Sequence, residues 1–130
     1  MSDTPQKMNA VSLFVANLAR TKAFYVDGFG WTIAWEDPQS VGFDAGGCFV
    51  NFLIESEAPD LIAPASVAAP GTGQRFMLSI FVPDTDAALA DLAERGIEPI
   101  SGPIDRPWGM RTACVLDPDG YVWELAQQIG

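Results

Sequence analysis

The sequence predicts an α+β fold of two tandem β-α-β-β-β modules that form a curved mixed sheet around a cleft. An internal repeat carries this prediction. Val15-Ala16-Asn17 and Val82-Pro83-Asp84 each follow an alternating apolar strand and precede a helical stretch. Asp44-Ala45-Gly46-Gly47 and Asp117-Pro118-Asp119-Gly120 then each form a turn ahead of another strand. Two copies of one small unit therefore make up the chain.

A chain of 130 residues fits one domain. We place the first module at residues 8–55, a linker at 56–73 and the second module at 74–128. The linker contains Pro59, Pro64 and Pro70 together with two glycines, which is typical of a connection or of an arm that crosses to a partner.

The opening strand of each module shows the period-2 pattern of a half-buried strand. Apolar residues alternate through Val11–Val15 and again through Leu78–Val82. Asn17 and Asp84 are separated by the same number of residues as Ser12 and Ser79, and as Phe14 and Phe81. When the two modules are aligned at this separation, the first opening strand matches the second. The opening strands are therefore equivalent.

A helix follows each opening strand. Asn17 and Asp84 are suitable N-cap residues, because a short side-chain oxygen accepts from the free backbone N–H groups of a helix start. We expect helices over Leu18–Asp27 and Thr85–Arg95, the second ending at Gly96.

Three further strands follow in each module. The Asp-Pro-Asp-Gly turn predicts a hairpin between the last two, since proline presets φ and glycine accepts positive φ. The expected strands are Trp31–Trp35, Val41–Phe43 and Phe49–Ile54 in the first module, and Ile97–Ile100, Arg111–Leu116 and Tyr121–Ala126 in the second.

Composition limits the partners and the compartment. With 17 acidic and 7 basic residues the net charge is −10, which argues against nucleic acid and favours a cationic small molecule or simple solubility. No apolar run reaches the ~18 residues of a membrane helix, and Met1–Lys7 lacks the apolar core of a signal peptide. We therefore predict a cytoplasmic protein in which Cys48 and Cys114 are buried free thiols.

The module order and several motifs resemble the vicinal oxygen chelate superfamily, which includes glyoxalases, extradiol dioxygenases and bleomycin-resistance proteins. The motifs are Ala23-Phe24-Tyr25 ahead of Gly28-Phe29-Gly30-Trp31, Pro107-Trp108-Gly109, and the closing run Asp117 to Leu125. The resemblance covers residues 8–128 and is nearest the metal-free bleomycin-resistance-like branch. It implies the glyoxalase/bleomycin resistance fold and a homodimer.

Metal-dependent members of that superfamily hold a divalent ion on the first and last strand of each module. The corresponding positions here are Ala10, Asn51, Met77 and Glu124, of which only Glu124 is a competent ligand. The chain contains no histidine, so zinc has no imidazole ligand and a Ser-His-Asp or Cys-His triad is impossible. We therefore predict neither a metal nor another cofactor.

The candidate ligand-binding residues lie on the strand faces that should line the cleft, with one in a loop. Strand parity places Glu124 on that face, where it is a ligand contact or a general base, or else a remnant of a metal site. Asn51 either orients a ligand or pairs with Glu124. Trp108 is a large apolar side chain in a loop, so we expect a ligand or a partner chain to bury it. The full set is Ser12, Phe14, Phe49, Asn51, Met77, Ser79, Phe81, Trp108 and Glu124.

Three functions remain open. The first is a metal-free, homodimeric binding protein that holds a small organic molecule, aromatic or cationic, in an acidic cleft. The second is a metal-independent lyase or isomerase that uses Glu124 as its acid or base. The third, a metal-dependent glyoxalase or dioxygenase, disagrees with the residues at the ligand positions.

Overall fold

The computed structural model describes residues 6–130 and contains two separate four-stranded mixed sheets. The strands are β1 Ala10–Val15, β2 Ile33–Asp37, β3 Ser40–Asp44, β4 Phe49–Ile54, β5 Leu78–Phe81, β6 Ser101–Arg106, β7 Met110–Leu116 and β8 Val122–Gln128. Their orders are β1-β4-β3-β2 and β5-β8-β7-β6, so the second sheet repeats the first. The predicted fold class is confirmed, with one sheet in each module.

The helices begin where the sequence predicts. α1 (Leu18–Ala23) is capped by Asn17, whose Oδ1 accepts from Arg20 N at 3.0 Å. It continues as a π-helical turn over Phe24–Gly28, close to the end of the predicted helix. The longest helix, α3 (Thr85–Ala93), is capped in the same way by Asp84 and is two residues shorter than predicted.

Two strand predictions are wrong in position. β2 begins two residues later than predicted, because Trp31 N still bonds to Tyr25 O at the end of the π-helical turn. No strand forms over Ile97–Ile100. Ile97 N bonds to Leu92 O instead, which wraps this segment around the end of α3. The pairing strand is β6, where the edge position tolerates Pro103.

The linker is more ordered than predicted. It contains a 3₁₀ turn at Glu55–Glu57 and the short helix α2 (Ala58–Ile62), whose Ala58 is buried. Residues 63–77 contain no further helix or strand. Both cysteines are free, but they are half-buried rather than buried.

One core joins the modules. Tyr25, on the π-helical turn, stacks on Phe52 of β4 with ring centroids 4.3 Å apart. Its hydroxyl donates to Asp117 Oδ2 at 2.7 Å and accepts from Trp123 Nε1 at 2.8 Å, both of the second module. The helix-facing sides of the two sheets therefore share a core, and the other two sides face away from it.

Candidate functional site

Each sheet leaves one side uncovered by the shared core, and these two outer faces carry most of the predicted site residues. The first outer face comprises Ser12, Phe14, Trp35, Phe49 and Asn51. The second outer face comprises Met77, Ser79, Phe81, Ile104, Arg106, Thr112, Leu116 and Glu124. Strand pairing sets this division, because directly paired residues share a side of the sheet.

The second outer face is built around Glu124. Ser79 pairs with Glu124 across β5 and β8, and Ser79 Oγ donates to Glu124 Oε1 at 2.8 Å. The neighbours of Glu124 along β8, Trp123 and Leu125, are buried on the opposite side. The carboxylate is therefore held on the second outer face by a hydroxyl donor.

The first outer face has the equivalent pair. Ser12 pairs with Asn51 across β1 and β4, and Asn51 Nδ2 lies 3.5 Å from Ser12 Oγ. Among residues 6–130, Asn51 Oδ1 is buried without a hydrogen-bond partner. The suggested pairing of Asn51 with Glu124 is not formed, because each side chain bonds within its own module and the two outer faces point away from one core.

Trp35 completes the first outer face and was not among the predicted site residues. It pairs with Gly42 of β3, and its indole lies flat on that glycine: a Cβ on Gly42 would fall 2.0 Å from Trp35 Cε2. Phe49 packs edge-on against the same indole at 5.2 Å between ring centroids. Only glycine at position 42 leaves room for the ring, but the sequence alone does not show that Trp35 and Gly42 pair.

Arg106 is the second residue that the sequence reasoning missed. Its Nε donates to Thr112 Oγ1 at 3.0 Å, and its guanidinium lies 6.0 Å from the centre of the Trp108 ring. Thr112 is only 2% exposed, so its hydroxyl is a fixed partner. Trp108 itself, in the turn between β6 and β7, is 68% exposed.

Exposed apolar side chains concentrate on these surfaces. Of twelve large apolar side chains exposed in residues 6–130, seven belong to the outer faces or to the turn beside them: Trp35, Phe49, Met77, Phe81, Ile104, Trp108 and Leu116. Phe81 is 79% exposed, an unusual position for a phenylalanine in a strand. Such concentration marks a binding or association surface.

Two cavities reach the outer faces only at their edge strands, β5 and β1. One groove of about 680 Å³ runs between the modules beside Trp31 and Trp123, and one of about 250 Å³ lies beneath the linker beside Phe14 and Tyr121. The Tyr121 hydroxyl holds Phe14 in place by bonding to its backbone N and O. Met77, Ser79 and Phe81 line the groove, and Phe14 lines the smaller cavity. Neither is lined by Asn51 or Glu124, so the centres of the two outer faces stay open in a single chain.

The residues at the superfamily's metal positions do not fit a divalent ion. Ala10 has no donor atom, Met77 offers a soft thioether, and Glu124 is bonded to Ser79. No cluster of three His, Cys, Asp or Glu side chains suited to a metal occurs within residues 6–130.

The chain thus consists of two β-α-β-β-β modules, each with a serine paired to a polar residue at the same register. A family model described as the Glyoxalase/Bleomycin resistance protein/Dioxygenase superfamily matches residues 7–125. The chain therefore belongs to this superfamily.

Individual proteins are similar to this chain in sequence or in structure. The uncharacterized protein YraH of Bacillus subtilis (strain 168) is 27% identical over 127 residues, covering 95% of this chain and 99% of YraH. A glyoxalase/bleomycin resistance protein/dioxygenase from Nocardioides superposes with a TM-score of 0.85 at 22% identity, over 98% of this chain and 87% of that one. Lactoylglutathione lyase from Agrobacterium tumefaciens superposes with a TM-score of 0.76 at 22% identity, over 95% of each.

No helix within residues 6–130 is long and apolar enough to span a membrane.

Proposed function

We propose that this chain binds a small organic molecule with a planar apolar part, without a metal, in a cleft formed between two copies of the chain. The observation that carries the proposal is the concentration of exposed aromatic residues on the two outer faces, with Trp35 and Phe49 on one and Phe81 on the other. Aromatic rings supply large contact area for a planar ligand.

The two faces complement each other only between chains. Within one chain they point away from a shared core, so a ligand cannot touch both. In a twofold dimer, the first outer face of one chain covers the second outer face of its partner, and the symmetry creates two identical clefts. That arrangement also covers Trp108 and Phe81, whose exposure would otherwise place large apolar area in water.

A second candidate is supported by the bond between Ser79 and Glu124. A serine hydroxyl that holds one carboxylate oxygen leaves the other oriented toward a bound molecule. A carboxylate in that position can move a proton on a bound carbonyl compound as a general base. The protein would then be a metal-independent lyase or isomerase that uses the same cleft.

Two measurements test the binding proposal together. Sedimentation at micromolar concentration should show a dimer, and tryptophan fluorescence should change on addition of naphthalene-2-carboxamide, a neutral planar probe. Trp35→Ala should bind the probe more weakly, while Leu61→Ala, at an exposed residue of α2, should bind it normally. A monomer, or a dimer whose affinity for the probe is the same in both variants, would contradict the proposal.

A further inference from the structure

Arg106 lies on the second outer face without an acidic partner, although the chain contains 17 acidic and 7 basic residues. Four of the basic residues, Arg20, Lys22, Arg95 and Arg111, form ion pairs. Within residues 6–130, Arg106 has no carboxylate within ion-pair distance. Its neighbour Asp105 is on the other side of β6, where it pairs with Arg111 at 2.8 Å.

Neutral contacts hold the Arg106 guanidinium in place. Nε donates to the buried Thr112 hydroxyl, and the Trp108 ring lies beside the guanidinium plane. Both contacts leave the two terminal Nη groups without a charged partner. A planar guanidinium offers paired N–H donors that match a carboxylate in a bidentate arrangement. Lys7 and Arg75 also lack ion-pair partners in the described chain, but they are exposed and make no such orienting bond.

The spacing between Thr112, to which Arg106 bonds, and Glu124 indicates the size of the ligand. Thr112, which orients the guanidinium, pairs with Ala126, two residues along β8 from Glu124. Diagonal neighbours of this kind have Cα atoms roughly 7–8 Å apart. One aromatic ring with substituents at opposite ends spans such a distance.

We infer that the cleft takes a planar ligand that carries a carboxylate, which Arg106 binds through its Nη groups, and a hydrogen-bond donor at the opposite end, which Glu124 accepts. This inference rests on the proposed binding function. It narrows the ligand from any aromatic or cationic molecule to one with an acidic group. The long-range field of the net negative chain opposes such a ligand, but salt screens that field beyond about 10 Å at 0.1 M ionic strength.

The test compares naphthalene-2-carboxylate with naphthalene-2-carboxamide at 0.15 M salt. The two probes share a shape and differ in charge. The wild type should bind the carboxylate at least about tenfold more tightly than the amide, because charge-assisted bidentate bonds are the strong ones. Arg106→Gln should bind the two equally, and Arg106→Lys should keep part of the preference. Arg75→Gln makes the same charge change at a residue outside the two outer faces. This variant should keep the full preference for the carboxylate.

Each other outcome overturns the inference. If the wild type binds both probes equally, or Arg106→Gln keeps the preference, Arg106 is not the carboxylate anchor while the binding function stands. If neither probe binds at millimolar concentration, the proposed function fails as well. Circular dichroism of Arg106→Gln shows whether lost preference reflects lost folding, and Arg106→Lys, which keeps the charge and a donor at the end of the side chain, gives a second, milder variant.

Discussion

Ser79 Oγ and Glu124 Oε1 are 2.8 Å apart on the second outer face, and Ser12 with Asn51 occupies the equivalent position on the first. The internal repeat thus reproduces a serine and its partner at the same register, and the modules differ in that one partner is an acid and the other an amide. Two such faces, brought together from two chains, would present one carboxylate and one amide to the same ligand.

Glu124→Gln separates the two candidate functions, because it keeps the shape and removes the charge. A binding protein should lose affinity for ligands that place an N–H donor or an ammonium group against Glu124. It should keep its affinity for neutral analogues that lack that donor. An enzyme that uses Glu124 as a base should keep substrate binding and lose turnover by about a hundredfold or more. Glu94→Gln, at an exposed residue at the end of α3, is the matched control. Unchanged binding and turnover in Glu124→Gln would show that the carboxylate has neither role and is a remnant of a metal site.

Gly42→Ala should displace the Trp35 ring, because the new Cβ would lie 2.0 Å from Trp35 Cε2. We expect the affinity for naphthalene-2-carboxamide to fall roughly tenfold, measured by fluorescence titration. The same change in a Trp35→Ala background should cause no further loss of affinity, since the effects of substitutions at residues in contact are not additive. Additive losses in the double variant would show that Gly42 acts independently of Trp35.

Tyr25→Phe should destabilise the protein by roughly 2–5 kcal/mol at neutral pH, measured by urea unfolding. It leaves the Asp117 carboxylate and the Trp123 indole N–H buried without their partner. Tyr121→Phe, which removes a hydroxyl from a half-buried tyrosine, should cost less because water can reach the freed groups.

The effect of Tyr25→Phe should also depend on pH. Burial raises the pKa of Asp117, and the hydrogen bond from Tyr25 lowers that pKa. A carboxyl whose folded pKa exceeds its unfolded value binds more protons when folded, so stability falls as the pH rises through that interval. Without the tyrosine hydroxyl the folded pKa rises further. The stability difference between Tyr25→Phe and wild type should therefore shrink as the pH is lowered toward 4, and a constant difference would contradict this assignment.

Metal ions should not stabilise the protein. A ligand that binds only the folded state raises stability by RT ln(1 + [L]/Kd), so the absence of a site predicts an unchanged melting temperature with Zn²⁺, Ni²⁺, Mn²⁺ or Fe²⁺. Differential scanning fluorimetry with and without a chelator measures this. Stoichiometric metal in freshly purified protein, detected by elemental analysis, would show that the residues at the superfamily's metal positions do fit a metal ion.

The modules were predictable because local signals agree with the final packing. Asn17 and Asp84 cap their helices, and the Asp-Pro-Asp-Gly turn joins β7 to β8. Alternation also placed Trp123 and Leu125 toward the core. Each of these signals depends on residues close together in the chain, so the sequence displays it directly.

The rest of the site depends on pairing between distant residues. Trp35 could be recognised only once β2 was known to pair with Gly42 on β3, and β2 itself was misplaced by two residues. Arg106 lies on β6, which was predicted too early in the chain. Asn51 and Glu124 are separated because Tyr25 contacts Trp123 between the modules. That contact joins residues far apart in the chain, so no local sequence pattern predicts it.

The cleft between two chains is the central claim, and mixed dimers of two variants test it. Trp35→Ala and Phe81→Ala should each weaken binding of naphthalene-2-carboxylate by about 2 kcal/mol, or roughly thirtyfold. They lie on different outer faces, so in the proposed dimer each variant alone damages both clefts, whereas a mixed dimer has one intact cleft and one that lacks both rings.

Titration calorimetry of the two variants refolded together should therefore recover wild-type affinity at about a quarter of the clefts, because half of the dimers are mixed and each has one intact cleft. A Trp35→Ala/Phe81→Ala double variant refolded with wild type is the control. Its mixed dimers contain no intact cleft, so only the wild-type dimers contribute and a quarter of the clefts should bind normally, whereas a site within one chain would leave half of the sites intact. If the two single variants recover no wild-type sites when refolded together, the two faces do not meet across a dimer and the account is wrong.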